Sequence, residues 1–334
     1  MKYDQILKEL KANQYKPVYF LHGNEPYYID QLANFFEDNI LDETEKAFNL
    51  TILYGKDIDH KQVVDQARRF PMMASHQVVI IKEAQSMSGL QQLQTYIENP
   101  LETTILVICH KHKKFDGRTK LANVVKKNAV LFESKKPYDN QMPAWITSYL
   151  TGIKLKIGPK EAALIAEYLG NDLGKVANEL DKLAINLSKG HTVTADNIQE
   201  HIGISKDYNI FELQDALTAR NHTKAYQILK YFQANPRNNP LVMVVAALFG
   251  FFSKVYLMHT LRNAPDREVQ KVLGLPTPYF VKDYRKAAQQ FNRRQTEKII
   301  HLLKNYDLKS KGVGNASSSD QSMMQEMMYH ILSV

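Results

Sequence analysis

The chain has 334 residues and a formal net charge of +8, with 44% hydrophobic and 23% charged residues. This composition is typical of a packed globular protein and excludes a disordered chain, and the length indicates two or three domains. A single cysteine excludes a disulfide framework and a thiolate zinc site. No secretory signal is found, and the longest apolar run, residues 241–252, is too short to span a bilayer. We therefore expect a cytoplasmic protein with no membrane partner.

The first third of the chain alternates short apolar runs with helical patterns. Helices are indicated at residues 29–36 and 93–97. Continuous apolar strands separated by helices are typical of a parallel sheet that is covered on both faces. The sequence therefore predicts an α/β first domain. Its strands are expected at residues 17–21, 48–54, 77–81, 105–109 and 129–132.

A turn that follows the first predicted strand stands where a nucleotide-binding phosphate loop would lie. The pattern G-x-x-x-x-G-K-[ST], laid from its first glycine, falls on Gly23, Tyr28, Ile29 and Asp30. The lysine that would hold the phosphates is missing, and Glu25 adds a second carboxylate that would repel them. The strand at 77–81 is followed by Lys82-Glu83, so no aspartate stands at its end to bind Mg²⁺. We therefore expect no cofactor and no ATP hydrolysis by this chain.

Nearly all of the net charge lies in one short segment. Residues 111–136 contain nine lysines or arginines and two acids, a net +7. Such a cluster is either a solvated surface or a surface that faces phosphates or an acidic partner. No aromatic stripe accompanies it, so a base-stacking platform is not supported. His110 and His112 beside Cys109 lack a second pair of ligands at a usable spacing, and no metal site is expected.

Beyond residue 137 the strand signals stop. A small helical unit of about 70 residues is predicted, followed by a third, helical segment. Within that segment, residues 241–258 are apolar around most of the helix circumference, which predicts an interior helix. The remaining helices are expected at residues 144–150, 159–169, 173–187, 194–202, 211–217, 223–232, 279–288, 295–308 and 322–332.

Six segments, in order along the chain, make the sequence similar to the delta subunits of bacterial DNA polymerase III clamp loaders. They are PVYFLHGNEPYYIDQL (17–32), RRFPMMASHQVVIIKEA (68–84), FDGRTKLANVVKKNAVLFE (115–133), NDLGKVANELDKLAI (171–185), NIFELQDALTARNHTKAYQIL (209–229) and DLKSKG (307–312). The resemblance implies a RecA-like AAA+ domain without a functional phosphate loop (1–139), a small helical lid (140–208) and an all-helical collar (209–334). It also implies a hetero-pentamer in which other subunits hydrolyse ATP.

The family's clamp-contacting segment matches Met72 and Met73, with Phe70 and Pro71 beside them. The resemblance implies that two large apolar side chains at a helix end bind the sliding clamp, the beta subunit. The family more often has Leu-Phe at these positions. Read without the resemblance, the two methionines would more often pack between a helix and a strand.

The resemblance further implies contact with primer-template DNA through the assembled complex, within a holoenzyme that is a nucleotidyltransferase. Whether the basic cluster faces DNA or a neighbouring subunit stays open, as does the part played by Phe70. Two other functions compete, a degenerate nucleotide hydrolase and a stand-alone nucleic-acid-binding protein. The candidate DNA or subunit contacts are Lys111, Lys113, Lys114, Arg118 and Lys120.

Overall fold

In the computed structural model, which describes residues 1–314 and 319–334, the chain forms two compact units. The first unit comprises Met1–Lys136 together with Asp172–Gly174. The second comprises Pro137–Asn171 and Lys175–Val334.

The first unit is built on a parallel sheet of five strands in the order β2-β3-β4-β1-β5. The predicted α/β class and the five predicted strands are confirmed. The second strand begins two residues later than predicted, because Phe48 and Asn49 end the preceding helix. The strands are β1 Val18–Gly23, β2 Leu50–Tyr54, β3 Gln77–Lys82, β4 Thr104–His110 and β5 Val130–Ser134.

Helices cover both faces of this sheet. Val79 and Ile81 of β3 pack against the helices at 60–67, 94–98 and 120–128. Val78 and Ile80 pack against the helices at 3–11 and 26–39 on the other face. Successive side chains of a strand point to opposite faces, so a strand buried on both faces has an unbroken apolar sequence. The helices of this unit are α1 Tyr3–Lys11, α2 Pro26–Asn39, α3 Glu43–Asn49, α4 His60–Ala67, α5 Gln94–Glu98 and α6 Lys120–Asn128.

The second unit is mainly helical, but the prediction that no strand follows residue 137 was wrong. Lys156–Ile157 (β6) and Thr192–Val193 (β7) form a two-stranded parallel sheet, and two residues are too few to produce an apolar run. Its helices are α7 Met142–Gly152, α8 Pro159–Leu169, α9 Leu173–Asn186, α10 Ala195–Ile202, α11 Ile210–Thr218, α12 His222–Ala234, α13 Leu241–Met258, α14 Asp266–Leu273, α15 Val281–Gln290, α16 Arg293–Ser310 and α17 Asp320–Leu332.

The helix α13 spans the residues predicted for it, 241–258. It has 18 residues with a mean hydropathy of 2.1, and so is long and apolar enough, by length and composition, to cross a membrane. Leu248, Phe252 and other side chains of α13 form part of the core of the second unit. The expectation of a wholly interior helix was only partly met, since Val242 and Phe249 are exposed.

Candidate functional site

The turn after β1 is tight and packs closely against β5. A Cβ atom added to Gly23, whose φ is +144°, would lie 1.9 Å from the carbonyl oxygen of Ser134 in β5. The helix α2 begins at Pro26, after a connection of only two residues. The Glu25 carboxylate accepts a hydrogen bond from the amide of Tyr27 at 3.0 Å, and Pro26 has no amide hydrogen. The amides that hold phosphate in a nucleotide-binding loop are therefore partly capped and partly absent.

Lys111 places a largely buried positive charge beside α2, the helix that follows this turn. It directly follows β4, and its ammonium lies 2.7 Å from Asp30 of α2 and 3.1 Å from Glu83 beyond the end of β3. Burial alone would lower the pKa of Lys111, but its hydrogen bonds to the two carboxylates outweigh burial and raise it. Lys111 thus neutralises the carboxylate that the sequence places at the Ser/Thr position of the phosphate loop.

Only 13% of the Lys111 side chain is exposed, and its contact with DNA or another subunit stays a prediction. Arg118 forms two hydrogen bonds of 3.0 Å with the Asp116 carboxylate. Lys114 lies 3.3 Å from Glu133. Lys114 and Arg118 remain exposed despite these contacts, as are the remaining two candidates, Lys113 and Lys120.

Two buried histidines lie near the carboxyl ends of β1 and β4, at the same end of the sheet. His22 and His110 lie beside Phe115, and the Nδ1 of His22 accepts a hydrogen bond from the amide of Phe115 at 3.2 Å. Burial lowers the pKa of His22 to about 4 and also lowers the pKa of His110. Burial raises the pKa of the neighbouring Cys109 thiol to about 12, so it stays protonated. Within residues 1–314 and 319–334, no cluster of three His, Cys, Asp or Glu residues could hold a metal ion.

The loop between α4 and β3, residues 68–76, carries the predicted clamp contacts and is called the exposed loop below. Phe70 is 73% exposed, Met72 60% and Met73 101%. Pro71 between them is half-buried. The interpretation that the methionines pack between helix and strand was wrong. They also do not lie at the end of a helix, as the resemblance implies, because α4 ends at Ala67.

Buried carboxamide groups hold the exposed loop, and sequence reasoning missed them. The Nε2 of Gln77, the first residue of β3, donates to the carbonyl oxygens of Ala67 and Arg69 and to Oγ1 of Thr104. The Asn49 side chain contacts Met72. The available signal was a polar residue beside an apolar run, FNLTIL for Asn49 and QVVII for Gln77.

Two family models match the chain. The model described as "DNA polymerase III, delta subunit" matches residues 19–135, and "DNA polymerase III delta subunit, C-terminal domain" matches residues 207–330. The chain belongs to the DNA polymerase III delta subunit family. It is 23% identical over 333 residues to DNA polymerase III subunit delta of Bacillus subtilis (strain 168), covering 96% of this chain and 94% of that protein.

Membership of the delta subunit family confirms the resemblance found in the sequence. Among solved structures, the fold is similar to the Bacillus subtilis DNA clamp loader delta protein YqeN, with a TM-score of 0.54 and 22% identity. That alignment covers 99% of this chain and 100% of the other. The two chains therefore share a fold along their whole lengths.

Proposed function

We propose that this chain is the delta subunit of a clamp loader, which binds the ring-shaped sliding clamp and opens it. An ATP-driven loader then places the clamp on primed DNA. The observation that carries the proposal is the exposed loop, where Phe70, Met72 and Met73 stand in solvent. Exposed apolar side chains that cluster on a soluble surface mark an interaction site. Membership of the delta subunit family supports the sliding clamp as the partner.

Two methionines are enough for the centre of an interface. Full burial of one such side chain contributes about 1.5–3 kcal/mol, so Met72 and Met73 together offer about 3–6 kcal/mol before the cost of association. Methionine is unbranched and polarizable, which suits a pocket that is entered and left repeatedly. Opening the ring requires no reaction in this chain, since a ligand that prefers the open clamp shifts the equilibrium by its differential affinity.

In this proposal the chain hydrolyses no ATP. The capped start of α2 and the Lys111 ion pairs support this, because they use the groups that would otherwise bind phosphate and Mg²⁺. The proposal includes an AAA+ domain at residues 1–139, a lid at 140–208 and a collar at 209–334 that joins the other loader subunits. It also includes contact with primer-template DNA through the assembled complex, and a cytoplasmic location.

Alanine substitution of both methionines tests the clamp contact. We expect Met72→Ala with Met73→Ala to weaken clamp binding by about 100-fold or more, on the scale of an interface hot spot. The melting temperature should stay within a few degrees because both side chains are exposed. Val242→Ala with Met243→Ala, an exposed adjacent pair in the second unit, is the matched control. Unchanged clamp affinity in the Met72/Met73 variant would refute the proposal.

Two measurements on the isolated chain test the competing functions. A rise in melting temperature with ATP and Mg²⁺ would favour a degenerate nucleotide hydrolase, because a ligand of the native state stabilises it. Tight binding to duplex DNA with a steep salt dependence would favour a stand-alone DNA-binding protein that uses the surface of Lys113 and Lys120. We expect neither result.

A further inference from the structure

We propose that Asn49 is the positioning residue of the exposed loop. Its side chain holds the backbone of Met72 so that Met72 and Met73 stand outside the fold in the conformation that the clamp binds. This inference rests on the proposed clamp contact but names a residue outside the matched clamp-contacting segment, 23 positions before Met72.

Both polar atoms of the Asn49 side chain form hydrogen bonds, to Met72 in the loop and to Glu45 in its own helix. Asn49 is the last residue of α3 and is 3% exposed. Its Nδ2 donates to the carbonyl oxygens of Glu45 and Met72, each at 3.0 Å. Its Oδ1 accepts from the amide of Met72 at 2.7 Å. A carboxamide has two donors and an acceptor, so asparagine meets all three partners at once, whereas aspartate would lack the donors.

The two hydrogen bonds to Met72 fix the direction of its side chain. The amide of Met72 belongs to the peptide plane before its Cα and the carbonyl to the plane after it, so Asn49 holds both planes. Each plane is rigid, which leaves the Cα–Cβ bond of Met72 with one direction. Met73 follows with φ of +54°, a left-handed conformation that costs about 1–2 kcal/mol for a residue other than glycine. A loop containing such a residue needs an outside tether to stay ordered.

The methionines cannot supply this tether, because they bury little of their own surface. Met73 is fully exposed and Met72 is 60% exposed. Gln77 holds the loop only at its start, through Ala67 and Arg69. Ala74 packs against the core after Met73, and Asn49 is the side chain that hydrogen-bonds to Met72 itself. Holding a binding segment in its bound conformation raises affinity by reducing the ordering that association requires.

Asn49→Leu removes both hydrogen bonds to Met72 while keeping a side chain of similar size. Asn39→Leu is the matched control, because Asn39 at the end of α2 donates to the carbonyl oxygen of Phe35 four residues earlier and is exposed. Two quantities are measured at a temperature far below unfolding, the hydrogen exchange of the Met72 amide in the free chain and the affinity for the clamp. We expect Asn49→Leu to speed exchange and weaken binding, each about ten-fold or more, because both hydrogen bonds to Met72 are lost. Exchange in β3 and all properties of Asn39→Leu should stay unchanged.

A double variant separates positioning from general destabilisation. In a Met73→Ala background, Asn49→Leu should weaken clamp binding by a smaller factor, because one of the two apolar side chains that Asn49 positions is already absent. Additive losses, unchanged Met72 exchange, or faster exchange with unchanged clamp affinity would each overturn the role of Asn49. Failure of the clamp contact itself has a different signature. In that case the Met72/Met73 alanine variant binds the clamp normally, while Asn49→Leu still speeds exchange of the Met72 amide.

Discussion

The two ends of strand β3 in the first unit differ in whether the side chains near them are paired within the fold or exposed to solvent. At the carboxyl end, Glu83 meets Lys111 and Asp30, and charged groups satisfy one another inside the fold. At the amino end, Gln77 supports the exposed loop, whose apolar side chains are left in solvent. Open α/β sheets ordinarily bind ligands at the carboxyl ends of their strands. Here the polar groups at the carboxyl end pair with one another, and the exposed apolar side chains lie at the amino end.

This contrast shows how an open α/β sheet can serve as a rigid support. At the start of α2, Glu25 accepts a hydrogen bond from the amide of Tyr27 and Pro26 has no amide hydrogen to offer a phosphate. The exposed loop shows the reverse at Met72, whose backbone is hydrogen-bonded to Asn49 and whose side chain is 60% exposed. Apolar side chains can contribute free energy of binding only where the protein itself leaves them uncovered. The predictions below probe the two ends of β3 separately.

The largest effect on stability is expected at the carboxyl end. Lys111→Met should lower the free energy of unfolding by about 1–3 kcal/mol, because it leaves two facing carboxylates without their cation. The value is placed below that of a fully buried pair, since Asp30 is 47% exposed and Glu83 36%. Urea denaturation at pH 7 measures the change.

Lys113→Met, two residues along and exposed, is the matched control and should shift stability by less than about 0.5 kcal/mol. Equal losses in the two variants would show that the ion pairs do not close this edge. The comparison between the two ends of β3 would then fail at its carboxyl end.

The histidine beneath this edge makes stability depend on pH. The pKa of His22 is about 4 in the folded chain and about 6.5 when unfolded. The unfolded state therefore binds more protons between these values, so stability should fall as pH drops from about 6.5 to 4. The loss from this group is at most about 3 kcal/mol.

His22→Asn isolates this contribution, because an amide oxygen can accept the hydrogen bond of Phe115 and does not titrate. The free energy of unfolding, measured from pH 7 to 4.5, should fall less steeply in His22→Asn than in the wild type. His110, whose pKa is also lowered, acts in the same direction and remains in the variant. Identical slopes would contradict the buried, neutral state of His22.

At the amino end, Phe70 decides how far the binding surface extends. Phe70→Ala should weaken clamp binding by roughly 5–30-fold, corresponding to about 1–2 kcal/mol for a partly buried aromatic side chain. The melting temperature should hardly change, because Phe70 is 73% exposed. Phe249→Ala, exposed in the second unit, is the control. Wild-type affinity in Phe70→Ala would restrict the contact to the two methionines.

Sequence reasoning finds the parts of this molecule that depend on local pattern. The apolar runs locate five strands, and the residues after Gly23 reveal a phosphate loop without its lysine. It fails where function depends on contacts between distant residues. Asn49 reads as a polar residue at the start of a strand, and only the fold brings it to Met72. Likewise Lys111 counts as one cation of a basic cluster until Asp30 and Glu83 are seen beside it.

The smallest effect separates conformation from contact in the exposed loop. Met73→Gly places glycine at a left-handed position where methionine costs about 1–2 kcal/mol. Glycine in turn raises the entropy cost of folding by about 0.5–1 kcal/mol. The exposed side chain contributes no burial, so the variant should be more stable by up to about 1 kcal/mol. Clamp affinity should nevertheless fall, because the apolar contact is lost.

Met72→Gly is the matched control, since Met72 does not have a positive φ. That variant loses the same kind of side chain without relief of strain, and should be destabilised by about 0.5–1 kcal/mol. Urea denaturation and clamp binding of the two variants thus differ in the sign of the stability change and agree in the loss of affinity. Equal destabilisation would mean that the loop does not hold Met73 in a strained conformation, and the case for an external tether would weaken with it.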